Sequence, residues 1–129
     1  MVIHQNFTDF VLFLYVHVAY ADGFFHPNER ESIKGKLNKL YPASEDYAAL
    51  INKVEAEYIK LDKKVVGEII TDTFKQYTNI TFLQKYKVYA DMFDIIRADG
   101  KVEESETIAL DELKRIIDLS SEHPSAKHK

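Results

Sequence analysis

An internal repeat is the sequence feature that most restricts the fold of this chain. The tripeptide Ala21-Asp22-Gly23 recurs as Ala98-Asp99-Gly100, so that Asp99 lies 77 residues after Asp22. In both copies an apolar residue stands two positions after the glycine, and a glutamate stands six positions after it. These residues are Phe25 and Glu29 in the first copy and Val102 and Glu106 in the second. A recurrence in register over this distance predicts two related structural units within one fold.

Each copy joins an apolar segment to an amphipathic one, a pattern that predicts a helix, a loop and a second helix. Gly23 and Gly100 suit the left-handed conformation that ends many helices. We expect Phe25 and Val102 to anchor the loops in the core. The two glutamates fall in the first turn of the following helix, where the helix dipole favours them and a free backbone N–H is within their reach.

The rest of the chain also follows helical periodicity, and no segment shows the sustained alternation that is typical of a strand. We therefore predict an all-α fold, a compact bundle of about six helices with two pseudo-repeated helix-loop-helix units. The helices are expected to begin at Asn6 or Thr8, Pro27, Ser44, Asp62, about Ile80 and about Glu104.

The first and fifth helices are apolar on most sides, so both should lie at the centre of the bundle. The first is expected to end near Ala21, the fifth near Ala98 and the sixth near Leu119. The apolar positions of the fifth helix are Phe82, Leu83, Tyr86, Tyr89, Ala90, Phe93 and Ile96. Those of the sixth are Leu110, Leu113 and Ile117.

Length and composition fit one domain, which we assign to residues 1–119, with residues 120–129 as a flexible polar tail. The absence of cysteine excludes disulfides, thiolate catalysis and cysteine-containing zinc sites. A formal charge of -4 argues against nucleic-acid binding, which requires a basic surface. The longest apolar stretch is about half the ~20 residues of a transmembrane span, and no signal-peptide pattern precedes it. We therefore expect a cytoplasmic protein without a transmembrane segment.

The aspartates of the repeat occupy unfavourable positions, because each lies at the carboxyl end of a helix, where the dipole disfavours negative charge. Hydrogen bonds to loop N–H groups would offset this cost, and so would a bound cation. If the two loops pair, Asp22, Glu29, Asp99 and Glu106 would form a four-carboxylate site for calcium, magnesium or zinc. His26 beside the first loop would favour zinc or another transition metal, unless it is an ordinary surface histidine.

The loops also match part of the calcium-binding EF-hand pattern, but two of its ligand positions fail in each copy. These positions are occupied by Val18 and Tyr20 in the first loop and by Ile95 and Arg97 in the second. Neither loop alone should therefore bind calcium at the affinity of a sensor.

An apolar helix ending in Ala-Asp-Gly, followed by a helix with glutamate at this spacing and present twice, resembles the TerB tellurite-resistance family. It is also similar to the N-terminal domain of DjlA-type co-chaperones. The resemblance spans roughly residues 7 to 119 and places the family's acidic residues at Asp22, Glu29, Asp99 and Glu106. It implies a non-enzymatic helical module that acts with protein partners in bacterial tellurite resistance and broader stress responses.

Two other functions remain open at this point: a divergent EF-hand-like calcium-responsive protein, and a hydrolase that uses the acidic cluster. The sequence contains neither a glycine-rich phosphate loop nor a His-Glu-x-x-His helix, and it therefore gives the hydrolase little support. His17 lies in the most apolar helix and is interpreted as a hydrogen-bonded core histidine, with Asp94 of the fifth helix as one candidate partner.

Overall fold

The computed structural model describes residues 6–21, 23, 25–77, 80–98, 100 and 104–116. These residues form six helices and no strand, which confirms the predicted all-α class. The helices are α1 (Phe7–Ala19), α2 (Pro27–Leu37), α3 (Tyr47–Ile59), α4 (Lys63–Gln76), α5 (Phe82–Ile96) and α6 (Glu104–Ile116). The predicted tail, Val102 and Ile117 lie outside the described residues.

Several helix starts are where the sequence placed them. The Asn6 side chain accepts a hydrogen bond from the Asp9 N–H at 2.8 Å, and Pro27 is the first residue of α2. Asp62 caps α4 by accepting from the Lys64 N–H at 3.2 Å. Short polar side chains cap a helix, and proline begins one, through backbone groups only a few residues away. The sequence therefore shows these helix starts directly.

The predicted cap of α3 at Ser44 is wrong, because Asp46 takes that role. The Asp46 side chain accepts from the Ala49 N–H at 3.1 Å. Ser44 is instead part of a turn in which the Glu45 N–H donates to the Pro42 carbonyl at 3.0 Å. The turn delays the helix by two residues, and aspartate is as good a cap as serine.

Helix α1 forms the centre of the bundle, as predicted. It contacts α2, α3, α5 and α6, and every residue from Phe10 to Val16 is buried. A helix that is apolar on nearly all sides is accommodated by burial among neighbouring helices.

Helices α1 and α5 run in the same direction. Phe7 at the start of α1 packs edge-on against Tyr77, shortly before α5, with ring centroids 5.4 Å apart. Further along, the Tyr15 hydroxyl of α1 donates a hydrogen bond to the Asp91 carboxylate of α5 at 3.2 Å. The first residues of α1 therefore lie near the start of α5, and later residues of α1 lie near later residues of α5. Both helices end on the same side of the molecule.

Helix α5 is less enclosed than its composition predicts. It packs against α1, α2 and α6, but Leu83, Tyr86 and Phe93 are exposed by 76%, 54% and 39%. Its buried residues are Val88, Asp91, Met92, Ile95 and Ile96. With apolar residues on most sides of the helix, the sequence does not show which side faces the core.

Candidate acidic site at the two glycine turns

The two copies of the Ala-Asp-Gly motif adopt the same turn. The Ala21 N–H donates to the Val18 carbonyl at 3.2 Å, and the Gly23 N–H donates to the Tyr20 carbonyl at 2.9 Å. In the second copy the bonds from Ala98 to Ile95 and from Gly100 to Arg97 measure 3.1 and 3.0 Å. The sequence repeat is therefore also a repeat of backbone structure.

Both glycines have the predicted left-handed conformation, with φ of 87° at Gly23 and 83° at Gly100. An added Cβ would meet no heavy atom within 4 Å at either position. Glycine is thus required by the backbone conformation and not by a lack of space.

Each turn leads into a helix whose third residue is a buried glutamate. Glu29 is completely buried, and its Oε1 atom accepts a hydrogen bond from the His26 N–H at 3.0 Å. This bond confirms the predicted reach back to the helix start. Glu106 holds the same position in the first turn of α6 and is 1% exposed. A buried carboxylate is costly unless it is paired or hydrogen-bonded. Two of them at equivalent positions make these helix starts candidates for a functional site.

The predicted metal ligands are only partly described. Glu29 and Glu106 lie in the helices that follow the two turns, whereas Asp22 and Asp99 lie outside the described residues. Among the described residues there is no group of three or more histidines and acidic residues arranged to hold a metal ion. Because α1 and α5 run in the same direction, both glycine turns follow helices that end on the same side of the bundle.

The first turn is held by a polar network that the sequence did not reveal. Arg30 donates to Glu55 at 2.7 Å and to Asn52 at 2.9 Å, which ties α2 to α3. The Tyr20 hydroxyl, just after α1, donates to the other oxygen of Glu55 at 2.7 Å. Burial raises the pKa of Glu55, but the hydrogen bonds from Arg30 and Tyr20 outweigh it and lower the pKa below its usual value.

Phe25 anchors the same turn in the core, as predicted. Its side chain is 7% exposed and packs against the Tyr20 ring, with centroids 5.7 Å apart. The Arg30 guanidinium lies 4.4 Å from the centroid of the Phe25 ring, a cation–π arrangement. Apolar and charged contacts therefore fix the start of α2, where Glu29 lies.

The residues at the failed EF-hand positions have other roles. Val18 and Ile95 are buried in the core. Tyr20 bonds Glu55, and the Arg97 guanidinium lies over the Phe93 ring at 5.1 Å. None of these four side chains brings a carboxylate or amide oxygen to its turn.

His17 is the hydrogen-bonded histidine that the sequence indicated, although its partner is Tyr58. The His17 Nδ1 atom lies 2.9 Å from the Tyr58 hydroxyl. Asp94 instead lies 3.3 Å from the Lys36 ammonium. Burial, and secondarily the charge of Lys63, lower the pKa of His17 to about 4, so the imidazole is neutral at pH 7.

The family is evident from known proteins. The family model described as tellurite resistance protein TerB matches residues 8–127. The chain belongs to the TerB family. The match begins at the second residue of α1 and extends past the described end of α6, and it confirms the resemblance inferred from the repeat. No curated protein and no solved structure matches the chain significantly.

None of the TerB-family helices described above is both long enough and apolar enough to cross a bilayer.

Proposed function

We propose that this TerB-family chain is a non-catalytic binding module that acts in the cytoplasm, in tellurite resistance or a related stress response. Its acidic turns would bind a divalent cation through Asp22, Glu29, Asp99 and Glu106, and the loaded turns would present a surface to a protein partner. The observation that carries the proposal is the pair of matching glycine turns, each followed by a buried glutamate at the third position of a helix.

Electrostatics support a cation at these turns. A buried carboxylate loses several kcal/mol of hydration unless other groups compensate for it, and a coordinated divalent ion is one such group. A site built only from carboxylates favours hard cations such as calcium and magnesium. Participation of His26, the residue that precedes α2, would shift the preference toward zinc.

The alternative role for the same residues is to brace the turns without a metal. The hydrogen bond from the His26 N–H to Glu29 favours this role, because it satisfies a donor at the start of α2. The EF-hand-like calcium sensor and the hydrolase rank lower. The buried apolar side chains of Val18 and Ile95 occupy positions where an EF-hand requires ligands.

Calorimetric titration with calcium, magnesium, manganese and zinc tests the proposal. The parent protein is expected to show saturable heat with at least one ion, and the variant Asp22→Asn/Asp99→Asn to show none. The matched control is Glu57→Gln/Asp111→Asn, which removes the same charge from two exposed helical positions and should bind like the parent. At a free ion concentration of 100 times Kd, binding should stabilise the parent by about 2.7 kcal/mol.

Two results would decide against the cation. Heat that persists in the aspartate variant would place the ion elsewhere. No heat with any ion, together with a less stable aspartate variant, would make the acidic residues structural braces and would leave protein binding as the function to test.

A further inference from the structure

A groove of about 340 Å³ lies between α1, α5 and the end of α2, beside the earlier turns of the two central helices. It is separate from the acidic turns, which follow the carboxyl ends of those helices. The groove is lined by apolar side chains, namely Phe7, Val11, Leu40, Leu83 and Val88. Its volume is at the lower end of the range for small-molecule sites.

Three lysines, Lys36, Lys39 and Lys87, also line this groove. The buried Asp91 carboxylate lies 3.5 Å from the Lys36 ammonium and 3.3 Å from the Lys87 ammonium. Asp94 lies 3.3 Å from Lys36, so that three lysines face two carboxylates. The groove is thus locally cationic, although the whole chain has a formal charge of -4.

The two carboxylates leave one positive charge of the three lysines uncompensated. We place this charge on Lys39 and Lys87. Asp91 is already shared between Lys36 and Lys87, and Lys39 is exposed in the turn that follows α2. The side chains of Lys39 and Lys87 are hydrogen-bond partners, and because an ammonium group has no acceptor, this contact favours the neutral form of Lys39: it lowers the pKa of Lys39 and raises that of Lys87. A ligand carboxylate between the two nitrogens would accept a hydrogen bond from each of them and favour the charged form of both.

We propose that this groove binds a medium-chain fatty acid, with its carboxylate between Lys39 and Lys87 and its aliphatic chain against the apolar lining. The single excess positive charge matches a monoanion, and lysine is a common point-charge partner for a carboxylate. The apolar lining matches an unbranched chain, because burial of each methylene is favourable without any hydrogen-bonding partner. This inference does not depend on the cation site.

Calorimetry with hexanoate, octanoate and decanoate, below the concentrations at which they self-associate, tests the proposal. One saturable site is expected. Its affinity should rise by up to about fourfold per added methylene until the groove is filled. In methyl NMR spectra, the bound fatty acid should shift the methyl resonances of Val11, Leu40 and Val88. Acetate carries the charge without the chain and decanol the chain without the charge, and both should bind at least about tenfold more weakly than decanoate.

Matched variants separate this groove from non-specific binding. Lys39→Glu should weaken decanoate binding by about threefold to tenfold, the range expected when an exposed attractive pair becomes repulsive. Lys53→Glu makes the same charge change at an exposed position of α3 and should leave the affinity unchanged. Leu83→Gln should also weaken binding, whereas Ile59→Gln, at a comparably exposed position of 60%, should not.

Three results would overturn the proposal. They are the absence of saturable binding, equal affinities in the Lys39→Glu and Lys53→Glu variants, and methyl shifts that cluster around α4 and α6 in place of the groove.

Discussion

Alanine substitutions at the four glycines of the chain test the structure of the turns. The expected change in the free energy of unfolding has one sign at the turn positions and the opposite sign at the helical positions. Gly23 and Gly100 have positive φ, whereas Gly35 lies within α2 and Gly67 within α4. At all four positions an added Cβ would meet no heavy atom within 4 Å. Substitution by alanine therefore changes the backbone preference and introduces no steric clash.

The expected magnitudes follow from the backbone conformation. Alanine in the left-handed region costs about 1–2 kcal/mol, and the reduced freedom of the unfolded chain returns about 0.4–1 kcal/mol of this. Gly23→Ala and Gly100→Ala should therefore each lower the free energy of unfolding by about 1 kcal/mol. In a helix, alanine is preferred over glycine by up to about 1 kcal/mol, so Gly35→Ala and Gly67→Ala should raise it.

Urea unfolding followed by circular dichroism measures these differences. Gly23→Asn and Gly100→Asn serve as a second comparison, because asparagine adopts the left-handed conformation more readily than alanine and should cost less. The reasoning about the turns would be refuted if all four alanine variants were equally stable, or if the two turn variants were the more stable pair.

Two further predictions concern the polar groups around α1 and α3. His17 has its pKa lowered from 6.5 to about 4, so its contribution to stability is complete above pH 6.5 and is lost as the pH falls toward 4. Between pH 7 and 4 the parent should lose on the order of 2 kcal/mol more stability than His17→Gln, and an NMR titration in which His17 protonates near pH 6.5 would contradict this. For the Arg30–Glu55 pair, a double-mutant cycle with Arg30→Met and Glu55→Gln should give a coupling of about 1 kcal/mol that weakens in 1 M salt. A coupling indistinguishable from zero would show that the pair does not hold the first turn.

Local chemistry made much of this fold predictable. Asn6, Pro27 and Asp62 act on backbone groups within three residues of themselves, so their roles follow from the sequence alone. The exception at α3 has the same origin, because Ser44 and Asp46 are both suitable caps and only the preceding turn decides between them. For α5, periodicity showed a helix but not its orientation, which depends on the helices that cover it.

The candidate site was predictable to a similar extent. The spacing of glycine and glutamate placed Gly23, Gly100 and Glu29 correctly, because a turn and the helix that follows it are local structures. The spacing could not reveal the contact between Arg30 and Glu55, which are 25 residues apart, since neither belongs to a motif. Asp91 escaped notice for the same reason, because its partners Lys36 and Tyr15 come from other helices.

The central position of α1 also has a consequence for the order in which the chain folds during synthesis. Helix α1 leaves the ribosome well before its partner α5, because the Tyr15–Asp91 bond joins residues 76 positions apart. Until α5 emerges, the unbroken apolar stretch from Phe10 to Val16 lacks one of the helices that bury it. Apolar surface that is exposed in this way makes a nascent chain prone to aggregation.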